Sequence, residues 1–136
     1  MKVSFIAGFG PIVRDMGESY RLYHDGLGIE FEGDPGYWHT DKLEGAKAFA
    51  LWPLSSAAES CFGAKEWPSE VPVPQAWLEF DVATREDVAD AARELEASGY
   101  RLLSAVREEP WGQTITHLLS PEGLLLGIAF TPWMHA

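Results

Sequence analysis

An internal repeat is the feature that most constrains how this chain can fold. Three pairs of similar segments occur in the same order in the two halves of the chain. The members of the first pair lie where a strand ends and a capped helix begins, those of the second lie where that helix ends, and those of the third precede the last strand of each half. The pairs, at offsets of 69, 71 and 78 residues, are Val13-Arg14-Asp15 with Val82-Ala83-Thr84, Gly28 with Gly99, and Glu44-Gly45 with Glu122-Gly123. The repeat predicts two related β-α-β-β-β units, each with one sheet face on its helix and one concave face.

The predicted fold is α+β, with two tandem βαβββ modules in a single domain spanning 1–136. Module one covers about 1–54, a connection about 55–74, and module two about 75–132. The connection is rich in Pro, Ser and Ala, and we expect one helical turn near 56–60. The clearest helix follows Thr84, with an apolar stripe from Val88 to Leu95. The predicted strands are 3–13, 29–32, 37–40, 46–52, 76–82, 100–104, 113–119 and 124–130.

The charge balance restricts the partners of the chain. Its 10 basic and 21 acidic residues give a net charge of -11. A field of this sign repels nucleic-acid phosphates and anionic lipids, so we expect neither as a partner. The same field favours a cationic ligand, although solubility alone would also explain it.

Cysteine usage bears on the compartment. Cys61 is the one cysteine, so the chain can form no internal disulfide, and we expect a reducing environment. The sequence has neither a signal-peptide pattern nor an apolar run long enough to span a bilayer. These observations predict a cytoplasmic protein.

Three segments carry a resemblance to a known family. Glu109-Pro110-Trp111-Gly112-Gln113, followed by Leu119-Ser120-Pro121-Glu122-Gly123, resembles a "PWG…DPxGN" run, and Leu22–Gly28 resembles an "FYxxxLG" helix exit. Together with the repeat, these segments are similar to the vicinal-oxygen-chelate superfamily, which includes glyoxalase I, extradiol dioxygenases and the bleomycin-resistance proteins. The resemblance covers nearly the whole chain and implies the paired-module fold. It does not by itself settle the function.

The resemblance also implies a test for a metal ion. Enzymes of this superfamily hold one divalent ion through a His on the first strand of a module and a carboxylate or His on the last. The corresponding positions here are Gly8, Phe49, Trp77 and Gly127, and none has a side chain that can bind a metal. The four His residues show no metal-binding spacing either. We therefore predict neither a metal ion nor another cofactor.

Strand alternation indicates which side chains face the cleft between the modules. On the strand 76–82, Trp77, Glu79 and Asp81 should point to the concave face, opposite the helix. In module one we assign this face to Phe49 and its alternate neighbours. Glu79, Asp81 and His117 are also the candidate acid–base groups, although the two carboxylates could equally be solvated or paired. The predicted ligand-binding residues are Trp38, Phe49, Trp52, Trp77, Glu79, Asp81, Trp111 and His117.

Three functions remain open at this point. The favoured hypothesis is a protein that binds and sequesters a small cationic or aromatic molecule, such as an antibiotic or toxin, as the bleomycin-resistance proteins do. The alternative is a lyase, isomerase or dioxygenase that uses a displaced metal or acid–base residues. A third is a module whose cleft binds another protein chain, for which the sequence offers no specific signal. The family resemblance further implies a homodimer.

Overall fold

The computed structural model describes residues 1–135, which fold into one mixed eight-stranded sheet with its helices packed against it. The strands are β1 (Val3–Val13), β2 (Glu32–Asp34), β3 (Tyr37–Thr40), β4 (Phe49–Pro53), β5 (Ala76–Val82), β6 (Arg107–Glu108), β7 (Thr114–Leu119) and β8 (Leu125–Phe130). The helices are α1 (Met16–Tyr20), which continues as a π-helical segment (Arg21–Gly26), α2 (Leu54–Phe62) and α3 (Arg85–Ala97), and a 3-10 turn covers Pro132–Met134. This architecture confirms the predicted α+β class.

The order of the eight strands is β2-β3-β4-β1-β5-β8-β7-β6, so each half contributes four adjacent strands. The two halves meet where β1 and β5 pair antiparallel, in a register that joins Gly8 to Glu79 and Gly10 to Trp77. Within each half the first and last strands run parallel, β1 with β4 and β5 with β8. The two halves therefore repeat the same arrangement about the central pair of strands.

The convex face of the sheet holds α1, its π-helical continuation and α3. Val88 and Ala91 of α3 pack against Val82 and Ile128, and a second cluster joins Val13 and its neighbours to α1 and the π-helical segment. Helix α3 begins at a capping box in which Thr84 and Asp87 bond each other's backbone N–H groups, as the sequence predicts. Helix α2 lies on the opposite, concave face, where Ala57 and Cys61 pack against Trp52 and Trp77, so this face is only partly covered and forms a cleft.

The structure differs from the sequence predictions at three elements. The connection contains a nine-residue helix, α2, rather than one turn. The strand predicted at 29–32 lies at β2, and none forms at 100–104. In that segment Leu103 donates its backbone N–H to the carbonyl of His117, but regular pairing with β7 begins only at β6, Arg107–Glu108. None of the helices within residues 1–135 has the length and apolar character needed to cross a membrane.

Candidate functional site

A single large cleft occupies the concave face of the sheet. Its volume is about 1020 Å³, and its walls come from both halves, from α2 and from the segment after β8. Four of the six Trp residues line it: Trp52, Trp77, Trp111 and Trp133. The cleft is at the upper end of the volumes typical of small-molecule sites, and its aromatic walls match their usual composition.

Trp77 forms the centre of the cleft floor. Its indole N–H donates to the backbone carbonyl of Ala50 at 3.2 Å, across β1, and its ring meets that of Trp52 edge-on at 6.0 Å between centroids. The ring lies over two glycines of β1: a Cβ built on Gly8 or Gly10 would lie 3.0 Å from an atom of the indole. The absence of side chains at these glycines is thus what lets a fully buried Trp lie flat on the sheet.

Glu79 is the acidic group of the floor. It is adjacent to Gly127 of β8, and a Cβ on Gly127 would come within 2.8 Å of the Glu79 Cγ, so the side chain leans over that glycine. Burial raises the pKa of Glu79 to about 7, the Gln113 hydrogen bond lowers it, and the charges of Asp81 and Glu109 add to the rise. Glu79 can therefore exchange a proton near neutral pH.

Gln113, which precedes β7, holds Glu79 in place. Its Nε2 donates to the Glu79 Oε1 at 2.9 Å and to the Thr131 Oγ1 at 2.8 Å, and its Oε1 accepts from the Trp111 indole at 3.0 Å. Every hydrogen of this amide group is used, so its orientation is fixed. Gln113 is not among the predicted site residues, although it belongs to the Glu109–Gln113 segment that carries the resemblance.

His117 of β7 lies on the same row of the sheet, opposite Gly127. It is 1% exposed, and neither ring nitrogen has a hydrogen-bond partner among the described residues. Burial, together with the positive charge of Arg107, lowers the pKa of His117 to about 4. The imidazole is therefore neutral at physiological pH, with one donor and one acceptor nitrogen unused.

Asp81 is closed off from the cleft, in contrast to its predicted position at the cleft surface. Its carboxylate is fully buried and accepts hydrogen bonds from the backbone N–H and the hydroxyl of Thr131, at 2.9 and 2.8 Å. The Nε2 of His135 lies 2.7 Å from the same carboxylate, so the end of the described chain is held against the sheet. Asp81 anchors the segment after β8, which we call the C-terminal strap (131–135); Trp133 and Met134 of the strap face the cleft.

A second polar cluster, none of whose members is a predicted site residue, lies where α2 meets β6. The Ser60 hydroxyl donates to the Glu109 Oε1 at 2.7 Å, and the Arg107 Nε lies 3.4 Å from the same oxygen. The Glu109 side chain is 2% exposed, so the guanidinium and the hydroxyl compensate a buried charge. Nearby Cys61 is unreactive, because burial raises the pKa of its thiol to about 12.

Two predicted ligand-binding residues lie on the other face of the sheet. Phe49 pairs with Phe9 in the parallel β1–β4 register, and it packs with Tyr23 and Phe31 on the helix side. Trp38 joins the same cluster. The prediction for Phe49 is wrong by one residue of register, because in β4 the even-numbered positions face the cleft. The prediction for Trp38 is wrong because Trp38 of β3 pairs with Leu51, on the same face as Phe49.

The metal positions implied by the resemblance can now be tested on the fold. The register correction replaces Phe49 by Ala50, which lies beside Gly10 of the neighbouring strand β1. The concave-face residues are then Gly8, Ala50, Trp77 and Gly127, and no side chain among them can bind a metal. Residues 1–135 also bring no group of three His, Cys, Asp or Glu side chains together in a metal-binding arrangement. The side chains at the family's positions therefore do not fit a divalent ion.

Two βαβββ halves joined through their first strands around one cleft define a glyoxalase-like protein. The model of the Glyoxalase/Bleomycin resistance protein/Dioxygenase superfamily matches residues 6–128, and the chain belongs to this superfamily. A comparison with curated proteins found no match.

Solved structures of the superfamily share the fold. A glyoxalase/bleomycin resistance protein/dioxygenase superfamily member from Vibrio splendidus 12B01 is 17% identical, with a TM-score of 0.60 over 96% of this chain and 100% of that chain. A variant of Streptomyces coelicolor methylmalonyl-CoA epimerase, in complex with 2-nitronate-propionyl-CoA, is 19% identical, with a TM-score of 0.58 over 96% and 99%. At such identities the similarity shows the fold alone.

Proposed function

We propose that the chain binds a small organic molecule in this cleft and holds it by aromatic contact, without a metal ion at the family's positions. The observation that carries the proposal is the cleft itself, about 1020 Å³ with four Trp side chains in its walls. Indole rings supply large, rigid contact area for planar or cationic groups. The ligand is expected to be an antibiotic, a toxin or a similar molecule that the protein sequesters.

The charges of the cleft support a cationic ligand. Its acidic lining residues outnumber the basic ones, and the Arg107 guanidinium is already engaged by Glu109. The basic side chain that remains, Lys47, lies over the Phe5 ring at 4.6 Å. The acidic lining residues are Glu32, Asp41, Glu59, Glu79 and Glu109. A cation therefore enters a cleft of favourable potential.

Intrinsic Trp fluorescence tests this proposal directly. Titration with a panel of aromatic amines and planar antibiotics should quench or shift the emission at micromolar ligand. Trp111→Ala should weaken binding about fivefold, as expected for one lost ring contact of about 1 kcal/mol. Trp67 lies outside the cleft, against Phe62; Trp67→Phe is the matched control and should leave the affinity unchanged. No response to any member of the panel would contradict the proposal.

A second candidate function is proton transfer, as in an isomerase or lyase, and the position of Glu79 favours it. A carboxyl group with a pKa of about 7 can both take and return a proton at neutral pH. Neutral His117 on the same row could hydrogen-bond the substrate. Asp81, the other candidate acid–base residue, is occupied by Thr131 and His135 and takes no part.

Two measurements separate the candidates. Ligands found to bind can be incubated with the protein in D₂O. Loss of their C–H signals in NMR spectra would reveal proton exchange, which Glu79→Gln should abolish. Elemental analysis of the purified protein would show whether a divalent metal is present. A stoichiometric metal would favour the enzyme, including a dioxygenase with a displaced metal site, and would count against metal-free binding.

The homodimer and the cytoplasmic location stay predictions. Sedimentation of the purified protein tests the first: we expect a species of twice the chain mass. Observation of the single-chain mass alone, at concentrations up to those used for ligand binding, would contradict it.

A further inference from the structure

Tyr37 of β3 stands in the wall of the cleft, although it is not among the predicted site residues. Trp38 pairs with Leu51 on the convex face, so the same antiparallel register places Tyr37 opposite Trp52 of β4 on the concave face. The Cβ atoms of such neighbours are about 5 Å apart, so the phenol stands beside the indole. Tyr37 is 41% exposed, and this surface is available to a ligand in the cleft.

The hydroxyl of Tyr37 has no partner in the part of the chain that the structure describes. Burial within the cleft walls and, to a smaller extent, the negative charge of Glu79 raise the pKa of this phenol, and no hydrogen bond contributes. The phenol is therefore protonated at neutral pH, with its hydrogen free to donate. The ring stacks on the imidazole of His39, at 5.2 Å between centroids and 27° between planes, which restricts where the hydroxyl points.

We propose that Tyr37 is a ligand-binding residue whose hydroxyl donates a hydrogen bond to an uncharged carbonyl oxygen of the ligand, as in a ketone, an aldehyde or an amide. This assignment rests on the proposed function, because it names one group of the molecule that the aromatic walls hold. A phenol is a better donor than acceptor, since its oxygen lone pairs are partly delocalised into the ring. A carbonyl oxygen has two lone pairs and no hydrogen, so it suits this donor. A carbonyl is also compatible with a cationic group elsewhere on the same ligand.

The charge of Glu79 favours an uncharged acceptor over an anionic one. The carboxylate that makes ionisation of the Tyr37 phenol unfavourable acts in the same way on any negative charge held at the hydroxyl. A carboxylate or phosphate group of a ligand is therefore disfavoured at this position. A protonated amine has no acceptor, so it would leave the hydrogen of Tyr37 without a bond. The carbonyl group avoids both of these penalties.

The test uses three probes of nearly the same shape: 2-acetylnaphthalene, 2-isopropenylnaphthalene and 1-(2-naphthyl)ethylamine. In the native chain, calorimetry should find the ketone about fivefold tighter than the alkene, which is the net effect of one neutral hydrogen bond. Tyr37→Phe removes the hydroxyl and keeps the ring, so the ketone should lose this advantage and bind within about twofold of the alkene. The alkene and the amine should keep their native affinities in this variant. Tyr100→Phe, at an exposed position outside the cleft, is the matched control and should keep the preference for the ketone.

Infrared spectroscopy of the bound ketone gives a second readout, which a change in packing alone would not reproduce. The C=O stretch, isolated as the difference between carbon-13-labelled and unlabelled ketone, should lie at lower frequency in the native complex than in Tyr37→Phe, because a hydrogen bond weakens the carbonyl bond. Equal affinity of the ketone and the alkene in the native chain, an unchanged C=O frequency, or a loss of affinity for the amine instead of the ketone in Tyr37→Phe would overturn the assignment while leaving the proposed function intact. If none of the three probes binds, the proposed function fails, and the inference fails with it.

Discussion

The amide of Gln113 donates to the carboxylate of Glu79 at 2.9 Å, and this contact ties the acid of the cleft floor to the rest of the site. The same amide nitrogen reaches Thr131, whose hydroxyl in turn donates to Asp81. Through the Trp111–Gln113 hydrogen bond, the network therefore connects the turn between β6 and β7, the cleft floor and the C-terminal strap. A change at one of these groups should be measurable at the others.

Replacing Gln113 should raise the pKa of Glu79 further. The amide hydrogen bond favours the ionised carboxylate, so Gln113→Leu removes the one influence that lowers this pKa. A rise of about 1 unit above the native value is expected, measured by carbon-13 NMR titration of the side-chain carboxyl. Gln75→Leu is the matched control at an exposed position and should leave the titration unchanged. A lower pKa in Gln113→Leu would contradict this account.

Glu79 should make the fold less stable as pH rises. Its pKa is 4.5 in the unfolded chain and about 7 in the folded one. Between these values the folded chain retains a proton that the unfolded chain has lost, so the free energy of unfolding falls as pH increases. Glu79→Gln should be more stable than the native protein at pH 8 by about 1–3 kcal/mol, and close to it at pH 4.5, in urea unfolding. If the variant and the native protein differ in unfolding free energy by the same amount at both pH values, Glu79 does not have a raised pKa in the folded chain.

His117 should act in the opposite direction. Its pKa falls from 6.5 to about 4 on folding, so the unfolded chain binds a proton in this range and the folded chain does not. The free energy of unfolding contributed by His117 therefore rises from pH 4 to pH 6.5. In the native protein this slope offsets that of Glu79. The measurement is the free energy of unfolding in urea at pH 6.5 and at pH 4. Its decrease between these two pH values should be smaller in His117→Phe than in the control variant His39→Phe.

Asp81 should be more important for stability than for ligand contact. Asp81→Ala leaves the Thr131 N–H, the Thr131 hydroxyl and the His135 ring without their buried acceptor. We expect a loss of about 2–4 kcal/mol in the free energy of unfolding. Asp90→Ala, at an exposed position on α3, should cost less than about 0.5 kcal/mol. Protease cleavage of the strap in Asp81→Ala, but not in Asp90→Ala, would be the accompanying sign that Asp81 anchors it.

Gly10 should tolerate no side chain. A Cβ there would lie 1.9 Å from the Ala50 carbonyl oxygen, the acceptor of the Trp77 indole. Gly10→Ala should destabilise the fold by about 3 kcal/mol or more, or prevent folding. Gly17→Ala, in the first turn of α1, meets nothing nearer than 3.5 Å and serves as the control. If the Gly10→Ala protein had native stability, the backbone of β1 would have to shift enough to accommodate a Cβ, which would contradict this prediction.

The repeat, the class of fold and the cap of α3 follow from local signals, and for this reason they could be predicted. The Thr84–Asp87 capping box requires only four consecutive residues. The face on which Phe49 lies could not be predicted in the same way, because β4 takes its register from β1, forty residues earlier. Alternation alone leaves two possible faces for an isolated strand, and it does not show which of them is the concave one.

The environment of Asp81 was also beyond local reasoning. Alternation predicts that Asp81 lies on the same face of the sheet as Glu79, and in the structure it does. Its separation from the cleft depends on Thr131 and His135, fifty or more residues later in the chain. Gln113 was missed for a related reason: its role arises from a contact with Glu79 across β8, and only the strand order shows that β7 and β5 both flank β8.

The indole of Trp77 over Gly8 and Gly10 constrains how this lineage can change. A larger residue at Gly8 would lie 3.0 Å from the ring, so a histidine cannot be accepted there while Trp77 remains. A smaller residue at Trp77 alone would open a cavity in the middle of the sheet. Substitutions at the two positions are therefore epistatic: Trp77 must change first, at a cost in stability, and an evolutionary path toward metal binding passes through a less stable intermediate.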